Sequence, residues 1–344
     1  MKKWYEETDQ IHDVFVMKRL RLVRNVEGCV FPSRLDEEER QEMLQDLEEH
    51  LLPVTGADGQ PFDYMRLELL DPVQKNALYE RRLINYSRVE DAGPVGLAVS
   101  ADETMSVAFG GDDHLRLQLV SGSQSLEQMW KQLSKVDDLL GEKVPYAFDP
   151  KYGYLTTFLT NVGTGLRASV IVHLPMLSTG NQFRKLVQEY GRFGVSIKGL
   201  DGDGTENFGA LYEVKNQKTL GHTEEQLISL VAKAAGQLAS HERKVKQMAL
   251  RTHRLQVEDE VYKSYGVLKY ARKLTYKEAM KYLSQLRLGL CEGLIQAETP
   301  VNIFGIMLNI RPANLRSMAG TALEDDELDQ ARALYIREHL PKIQ

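Results

Sequence analysis

The chain has 344 residues, 42% of them hydrophobic and 27% charged, and its 43 Lys+Arg against 49 Asp+Glu leave a formal charge of −6. This composition suits a globular protein of about two domains, which excludes disorder as the main state, and a pI near 5.8 argues against a surface built to neutralise nucleic acid, so any anion site must be local. Cys29 and Cys291 lie outside any CxxC or Cys/His cluster, residues 1–10 carry no apolar signal core, and the most apolar run, 168–177, is short and interrupted by His173 and Pro175; the expectation is a cytoplasmic protein without disulfides, structural zinc or a membrane span.

Residues 35–52 predict a helix, with acidic residues at its start and Leu44, Leu47 and Leu51 on one face, and Pro53 stops it. A second helix is expected over 71–82, making residues 1–90 mainly helical. Past Gly93-Pro94 the pattern changes to short apolar or alternating runs at 95–100, 105–109 and 115–119, which predict antiparallel strands. Residues 125–140 predict a helix packed on that sheet, opened by a Ser125/Gln128 capping box.

Further strands are expected at 154–159 and 166–174; in the second, Leu166, Ala168, Val170, Val172 and Leu174 form a core face and Arg167, Ser169, Ile171 and His173 a face available for work. A helix at 182–190, strands at 195–198 and 210–214, and a glycine-rich loop at 199–204 complete an α+β layer. A long helix begins at Thr223, and 257–340 reads as a separate helical bundle.

Five cations sit in apolar or glycine-rich surroundings: Arg19, Arg21, Arg116, Arg167 and Lys198. The Arg19-Leu20-Arg21 spacing in an extended segment puts two guanidinium forks on one face, able to clamp polyphosphate oxygens; the alternative is a solvated edge strand. In Asn161-Val162-Gly163-Thr164-Gly165-Leu166-Arg167, two glycines permit a tight turn whose N–H groups can approach an anion, or a plain β-turn; the run is neither a P-loop nor a dinucleotide fingerprint. Asp112-Asp113-His114-Leu115-Arg116 and the loop carrying Asp201, Asp203 and Glu206 supply carboxylates that could grip a cationic acceptor or take its proton. A solvated turn, or more weakly a calcium loop, is the competing reading of the second group. His114 and His173 are candidate general bases, against the blander reading of packed histidines.

Together these segments resemble the ATP:guanido phosphotransferase family, and within it the bacterial protein-arginine kinases. The resemblance is carried by Met17-Lys18-Arg19-Leu20-Arg21-Leu22-Val23-Arg24-Asn25, Asp113-His114-Leu115-Arg116, Tyr146-Ala147-Phe148-Asp149, Gly153-Tyr154-Leu155-Thr156, the Thr160–Val170 run and Lys263-Ser264-Tyr265-Gly266. It implies an α+β phosphotransferase core over 1–250, with a small helical part at 1–90 and an antiparallel sheet flanked by helices in an ATP-binding part at 91–250. A helical dimerisation and regulatory domain would follow at 255–344. ATP phosphates would be held by Arg19, Arg21, Arg116 and Arg167, with Mg²⁺ assisting and no metal held by the protein itself. Ala168, Ser169, Val170, Ile171, Lys198, Gly199, Leu200, Asp201 and Gly202 complete the implied nucleotide-binding positions. The implied catalytic carboxylates are Asp112 and Asp203, and the implied partners are proteins bearing arginine, a second copy of the chain, a Clp protease and a stress-response repressor, with neither nucleic acid nor membrane.

The family pattern is altered at several of these positions. Both catalytic glutamates are aspartates, Lys198 stands for a fifth phosphate-binding arginine, Phe158-Leu159 replaces a cysteine-proline pair, Met17-Lys18 replaces two serines, and a histidine near the adenine falls at Ser87. The regulatory phosphoarginine motif reads Leu328-Asp329-Gln330-Ala331-Arg332-Ala333, without its leading arginine. Shortening a carboxylate by one carbon and exchanging a fork for a point charge both disturb positioning, so a nucleotide-binding pseudokinase and a plain α+β binding domain stand as alternatives to an active kinase.

Overall fold

The computed structural model describes residues 2–8, 13–51, 62–90, 93–201, 207–321 and 323–344. In chain order the strands and α-helices are β1 (Phe15–Arg24), α1 (Glu37–Leu51), β2 (Asp63–Arg66), α2 (Pro72–Glu80), α3 (Ser87–Glu90), β3 (Gly96–Val99), β4 (Met105–Phe109), β5 (Leu115–Ser121), α4 (Leu126–Gly141), β6 (Phe148–Asp149) and β7 (Gly153–Tyr154). They continue with β8 (Arg167–His173), α5 (Asn181–Arg192), β9 (Val195–Gly199), β10 (Leu211–Asn216), α6 (Glu224–Thr252), α7 (Arg254–Tyr270), α8 (Tyr276–Cys291), α9 (Ile303–Asn309), α10 (Pro312–Ala319) and α11 (Asp325–His339). The chain divides into two units: Met1–Trp4, Lys18–Ser169 and Lys215–Ala232 form one, and Tyr5–Met17, Val170–Val214 and Lys233–Gln344 form the other.

In the first unit β2, β3, β4, β5 and β1 lie side by side in that order, each neighbouring pair antiparallel. The period-two alternation of β1 puts Leu20 and Leu22 on a fully buried face, and the register Leu20↔Leu119 and Leu22↔Leu117 adds two buried leucines of β5 to it. Helix α4 packs against β5 and buries Met129, Leu133, Val136 and Leu140; Ser125 and Gln128 form the anticipated capping box at its start. Each large aliphatic side chain removed from water here contributes roughly 1.5–3 kcal/mol, which is what leaves the opposite face of β1 free to carry charge. At the sheet edge, Leu67, Leu78, Leu83, Ile84, Val95, Leu97 and Val99 form a second apolar cluster under α2.

In the second unit β8, β10 and β9 are neighbours in that order, α5 packs against β9, and α7 packs against α8 with α11 beside both. Thr275 and Glu278 cap α8 reciprocally. Among the described residues no helix is long and apolar enough to cross a membrane.

Three local expectations change. Residues 1–90 are not mainly helical, because the ten-residue strand β1 and the strand β2 both lie there. Residues 154–159 are not a strand: only Gly153–Tyr154 pair, with Phe148–Asp149, and the chain then turns through Thr156 Oγ1 donating to the Phe158 carbonyl and the Asn161 N–H donating to the same carbonyl. Strand β8 has no working face beyond Arg167, since Ser169, Ile171 and His173 are as buried as Ala168, Val170 and Val172. A strand covered on both faces loses the alternation that would distinguish them.

Candidate functional site

Register builds the site. On β1 the side chains of Arg19, Arg21 and Val23 share one face, and Val23 is paired directly with Arg116 of β5, so Arg116 joins the same face. All three arginines are half-buried. The guanidinium of Arg116 makes no hydrogen bond or ion pair with any described residue. Burial, then the neighbouring charges of Arg21 and Arg19, push it well below its ordinary value; Arg88 adds to that and Asp112 opposes it. A cation held in this way is stabilised by an arriving polyanion.

Beside it lies a cleft of about 100 Å³, lined among others by Arg21, Arg88, Asp112, Asp113, Arg116 and Asn161. Asp112 enters it from the turn before β5, which Asn25 at the end of β1 fixes. Asn25 Nδ2 donates to Asp113 Oδ1 at 2.7 Å and to the Leu155 carbonyl at 3.1 Å, while its Oδ1 accepts from the His114 N–H at 2.9 Å. Thr157 clamps the same turn: its N–H donates to Asp113 Oδ1 at 2.7 Å and its hydroxyl to the Asp112 carbonyl at 2.8 Å. Asp113 is thereby consumed in structure, and burial pushes its carboxyl up. Asp112 is left as the carboxylate facing the cleft.

Arg167 sits at the start of β8 and is clamped by acceptors. Its Nε donates to Asn161 Oδ1 at 3.1 Å, Nη1 to the Asn216 and Gln217 carbonyls at 2.8 and 2.9 Å, and Nη2 to the Thr160 carbonyl at 2.6 Å. The glycine turn before it does not offer its N–H groups to an anion: those of Val162, Gly163, Thr164 and Gly165 donate to the carbonyls of Leu159, Tyr154, Thr219 and Asn161. Its glycines serve close approach instead. At Gly163, with φ +111, a Cβ would lie 2.6 Å from the Thr219 carbonyl oxygen, and at Gly165, with φ +67, 2.6 Å from that of Val23.

Neither histidine is placed as a general base. His114 is 1% exposed; its Nδ1 lies 2.8 Å from Asn25 Oδ1 and 3.4 Å from the Val26 backbone N. Its Nε2 is buried without a partner, and burial lowers the ring from 6.5 to about 4. Protonation therefore favours the unfolded chain: the stability this group contributes is full above pH 6.5 and is lost as pH falls toward 4. We predict that unfolding free energy from urea titrations declines by about 3 kcal/mol more over that window in the native protein than in a His114→Asn variant. Equal slopes would contradict the assignment. His173, in the second unit, accepts from Arg287 Nη1 at Nδ1 (2.9 Å) and meets Ser284 Oγ at Nε2 (2.7 Å), and burial holds it neutral.

Also in the second unit, Lys198 is exposed on β9 and Gly199 ends that strand. The Leu200 N–H donates to the Leu211 carbonyl at 3.0 Å. Asp201 is not part of a solvated turn: it is 4% exposed and accepts from Tyr276 Oη at 3.0 Å and Arg311 Nη2 at 2.9 Å. Asp329 and Arg332 of the altered regulatory motif pair with each other, and Arg332 is buried against the Ile310 and Leu274 carbonyls. Gly202 and Asp203, with Gly204, Thr205 and Glu206, lie outside the described residues. Of the remaining implied nucleotide positions, Ala168, Ser169, Val170 and Ile171 are buried strand residues. Among the described residues no group of three or more His, Cys, Asp or Glu could hold a metal ion.

The cleft also contains a residue the sequence did not single out. Arg88 of α3 is 6% exposed and ion-paired to Asp112. No periodicity or motif links the two, which stand 24 positions apart; only the fold joins them.

Comparison with known proteins decides the family. The model of the ATP:guanido phosphotransferase C-terminal catalytic domain matches residues 42–245, more than half of the chain. The chain belongs to the ATP:guanido phosphotransferase family. The model of the protein-arginine kinase McsB C-terminal domain matches residues 254–344. Curated relatives include a protein-arginine kinase of Halothermothrix orenii, 34% identical over 99% of this chain and 97% of that one, and one of Bacillus subtilis, 36% identical over 99% and 93%. Among solved structures, the duplicated taurocyamine kinase of Schistosoma mansoni with bound transition state analog components superposes with a TM-score of 0.61 at 25% identity. That match covers 71% of this chain and 35% of the duplicated one. A lombricine kinase structure, with a TM-score of 0.59 at 22% identity over 72% of this chain and 70% of the other, shares the phosphotransferase fold.

Proposed function

We propose that this family member binds ATP and transfers its γ-phosphoryl group to the guanidinium of arginine residues in proteins. The observation that carries the reading is the half-buried Arg116 guanidinium, without an ion pair of its own among the described residues, on one sheet face with Arg19 and Arg21 and next to Asp112. Three cations gathered on one sheet face by strand register match the charge that spreads over phosphoryl oxygens in the transition state. An arginine side chain is protonated at neutral pH, so an acceptor nitrogen becomes nucleophilic only as a base takes its proton. Asp112 holds the guanidinium in line and receives that proton, assisted in this reading by Asp203. Mg²⁺ takes most of its ligands from phosphate oxygens and water, which fits a cleft whose two carboxylates are already engaged, Asp113 by Asn25 and Thr157 and Asp112 by Arg88; when bound, it would neutralise charge on the phosphates.

The match of residues 254–344 to the protein-arginine kinase C-terminal domain supports a protein acceptor. We extend the reading to a core at 1–250 with a dimerisation and regulatory part at 255–344, working in the cytoplasm as a homodimer with a Clp protease and a stress-response repressor. Lys198 and the 199–202 segment are read as further nucleotide contacts.

The test is incubation of the purified protein with ATP, Mg²⁺ and an arginine-rich protein, followed by detection of acid-labile phosphoarginine. Phosphoarginine is expected from the native chain, with its rate lowered on the order of 10²–10⁴-fold in Asp112→Ala, the usual contribution of a positioned base. Nucleotide binding without product would overturn the transfer and leave a binding protein.

A further inference from the structure

Asp112 already holds a guanidinium. Arg88 Nη2 donates to Asp112 Oδ1, and Asn85 Nδ2 approaches Asp112 Oδ2 at 3.5 Å, so both carboxylate oxygens face side chains of one short segment around α3. Arg88 is nearly buried, yet the Asp112 side chain keeps 28% of its surface exposed, and both line the cleft that contains Arg21 and Arg116. A single carboxylate accepts one guanidinium fork at a time. An acceptor arginine and Arg88 therefore compete for the same oxygens.

We propose that Arg88 is a built-in pseudosubstrate: its guanidinium occupies the position on Asp112 that an incoming arginine must take, and the acceptor binds by displacing it. This rests on Asp112 being the acceptor carboxylate. The chemistry of the pair matches that of the proposed enzyme–substrate contact, a guanidinium donating to a cleft carboxylate beside phosphate-binding cations. The other guanidinium groups are disposed differently. Arg167 is spent on three backbone carbonyls and Asn161, and Arg116 has no carboxylate within ion-pairing distance among the described residues. Arg88, by contrast, is ion-paired to Asp112 through Nη2. The consequence is a threshold: an isolated arginine competes poorly with a tethered neighbour, whereas a protein segment with further contacts can displace it.

The experiment is direct titration of N-acetyl-arginine amide into the full-length protein with saturating MgADP, in the native chain, Arg88→Met, Arg88→Gln and the double variant Arg88→Met/Asp112→Asn. Both single variants keep most of the side-chain volume, so one remains informative if the other does not fold. Each is expected to bind the amide about tenfold tighter or more, the equivalent of removing one competing fork, with the gain lost in the double variant. The KM for an arginine-containing peptide should fall in parallel, by a larger factor than kcat changes. Amide affinity no higher than native in the single variants would overturn the proposal and leave Arg88 as a brace for Asp112. Tighter binding without phosphoryl transfer by any of the proteins would leave the pseudosubstrate assignment standing and overturn the enzymatic reading.

Discussion

Replacing Arg116 with methionine is expected to move stability and nucleotide affinity in opposite directions. In the free protein this half-buried guanidinium stands beside two like charges, and Asp112 offsets that cost only in part. Methionine fills the same space without the charge, so the unfolding free energy from urea titration should rise, by on the order of 1 kcal/mol. ATP binding should weaken, because a charge-assisted bond to a phosphate contributes about 1.5–3 kcal/mol, or roughly 10- to 150-fold in Kd. Calorimetric titration and urea unfolding on the same two proteins check both arms. A destabilised variant with native affinity would mean that Arg116 is a structural residue with partners in the folded chain.

The largest stability effect is expected three residues beyond the arginine pair, at Arg24. Arg24 is 1% exposed on the opposite face of β1, donates from Nε and Nη2 to Asp137 of α4 at 3.1 and 2.7 Å, and donates from Nη1 to the Val23 and Thr164 carbonyls at 3.0 and 2.9 Å. Its guanidinium carbon lies 3.6 Å from the centroid of the Tyr154 ring. The residue thus ties three elements together: the strand that carries Arg19 and Arg21, helix α4, and the turn that leads into Arg167. Arg24→Leu strands a buried carboxylate and is expected to cost about 3–5 kcal/mol. Burial pushes the Asp137 carboxyl up despite the opposing pull of Arg24, so desolvation outweighs the attraction. The double variant Arg24→Met/Asp137→Leu should therefore recover most of the loss. Equal destabilisation by the single and double variants would show that the pair's net attraction, not the stranded charge, sets the cost.

Much of this site was legible before folding, and for identifiable reasons. Arg19 and Arg21 are separated by one residue in a strand, so period two alone puts them on one face. The capping residues at Ser125/Gln128 and the alternation over 115–119 likewise use only neighbours in sequence. Arg116 stood out by its apolar surroundings and took its phosphate-binding role from likeness to a family; its physical position depends on the pairing Val23↔Arg116, which no local pattern encodes. The two-faced reading of β8 failed because a strand buried on both sides carries no polar signature. The anion-binding reading of the glycine turn failed for a related reason: glycine marks close approach, and the sequence does not say whether a phosphate or the chain's own backbone at Thr219 makes it. His114 and Asp113 looked like catalytic groups by residue type, while Asn25 and Thr157 assign both to structure. Arg88 was invisible because its partner is brought by the fold.

The convergence of Arg19, Arg21 and Arg116 as a polyphosphate cradle is tested most directly by a crystal structure of the full chain grown with a non-hydrolysable ATP analogue and Mg²⁺. Phosphate oxygens should lie within about 3 Å of the guanidinium nitrogens of all three arginines, the charge-assisted hydrogen-bond range, with the terminal phosphate directed toward Asp112. A nucleotide bound with its phosphates away from this strand face, leaving Arg116 still without an anion, would contradict it.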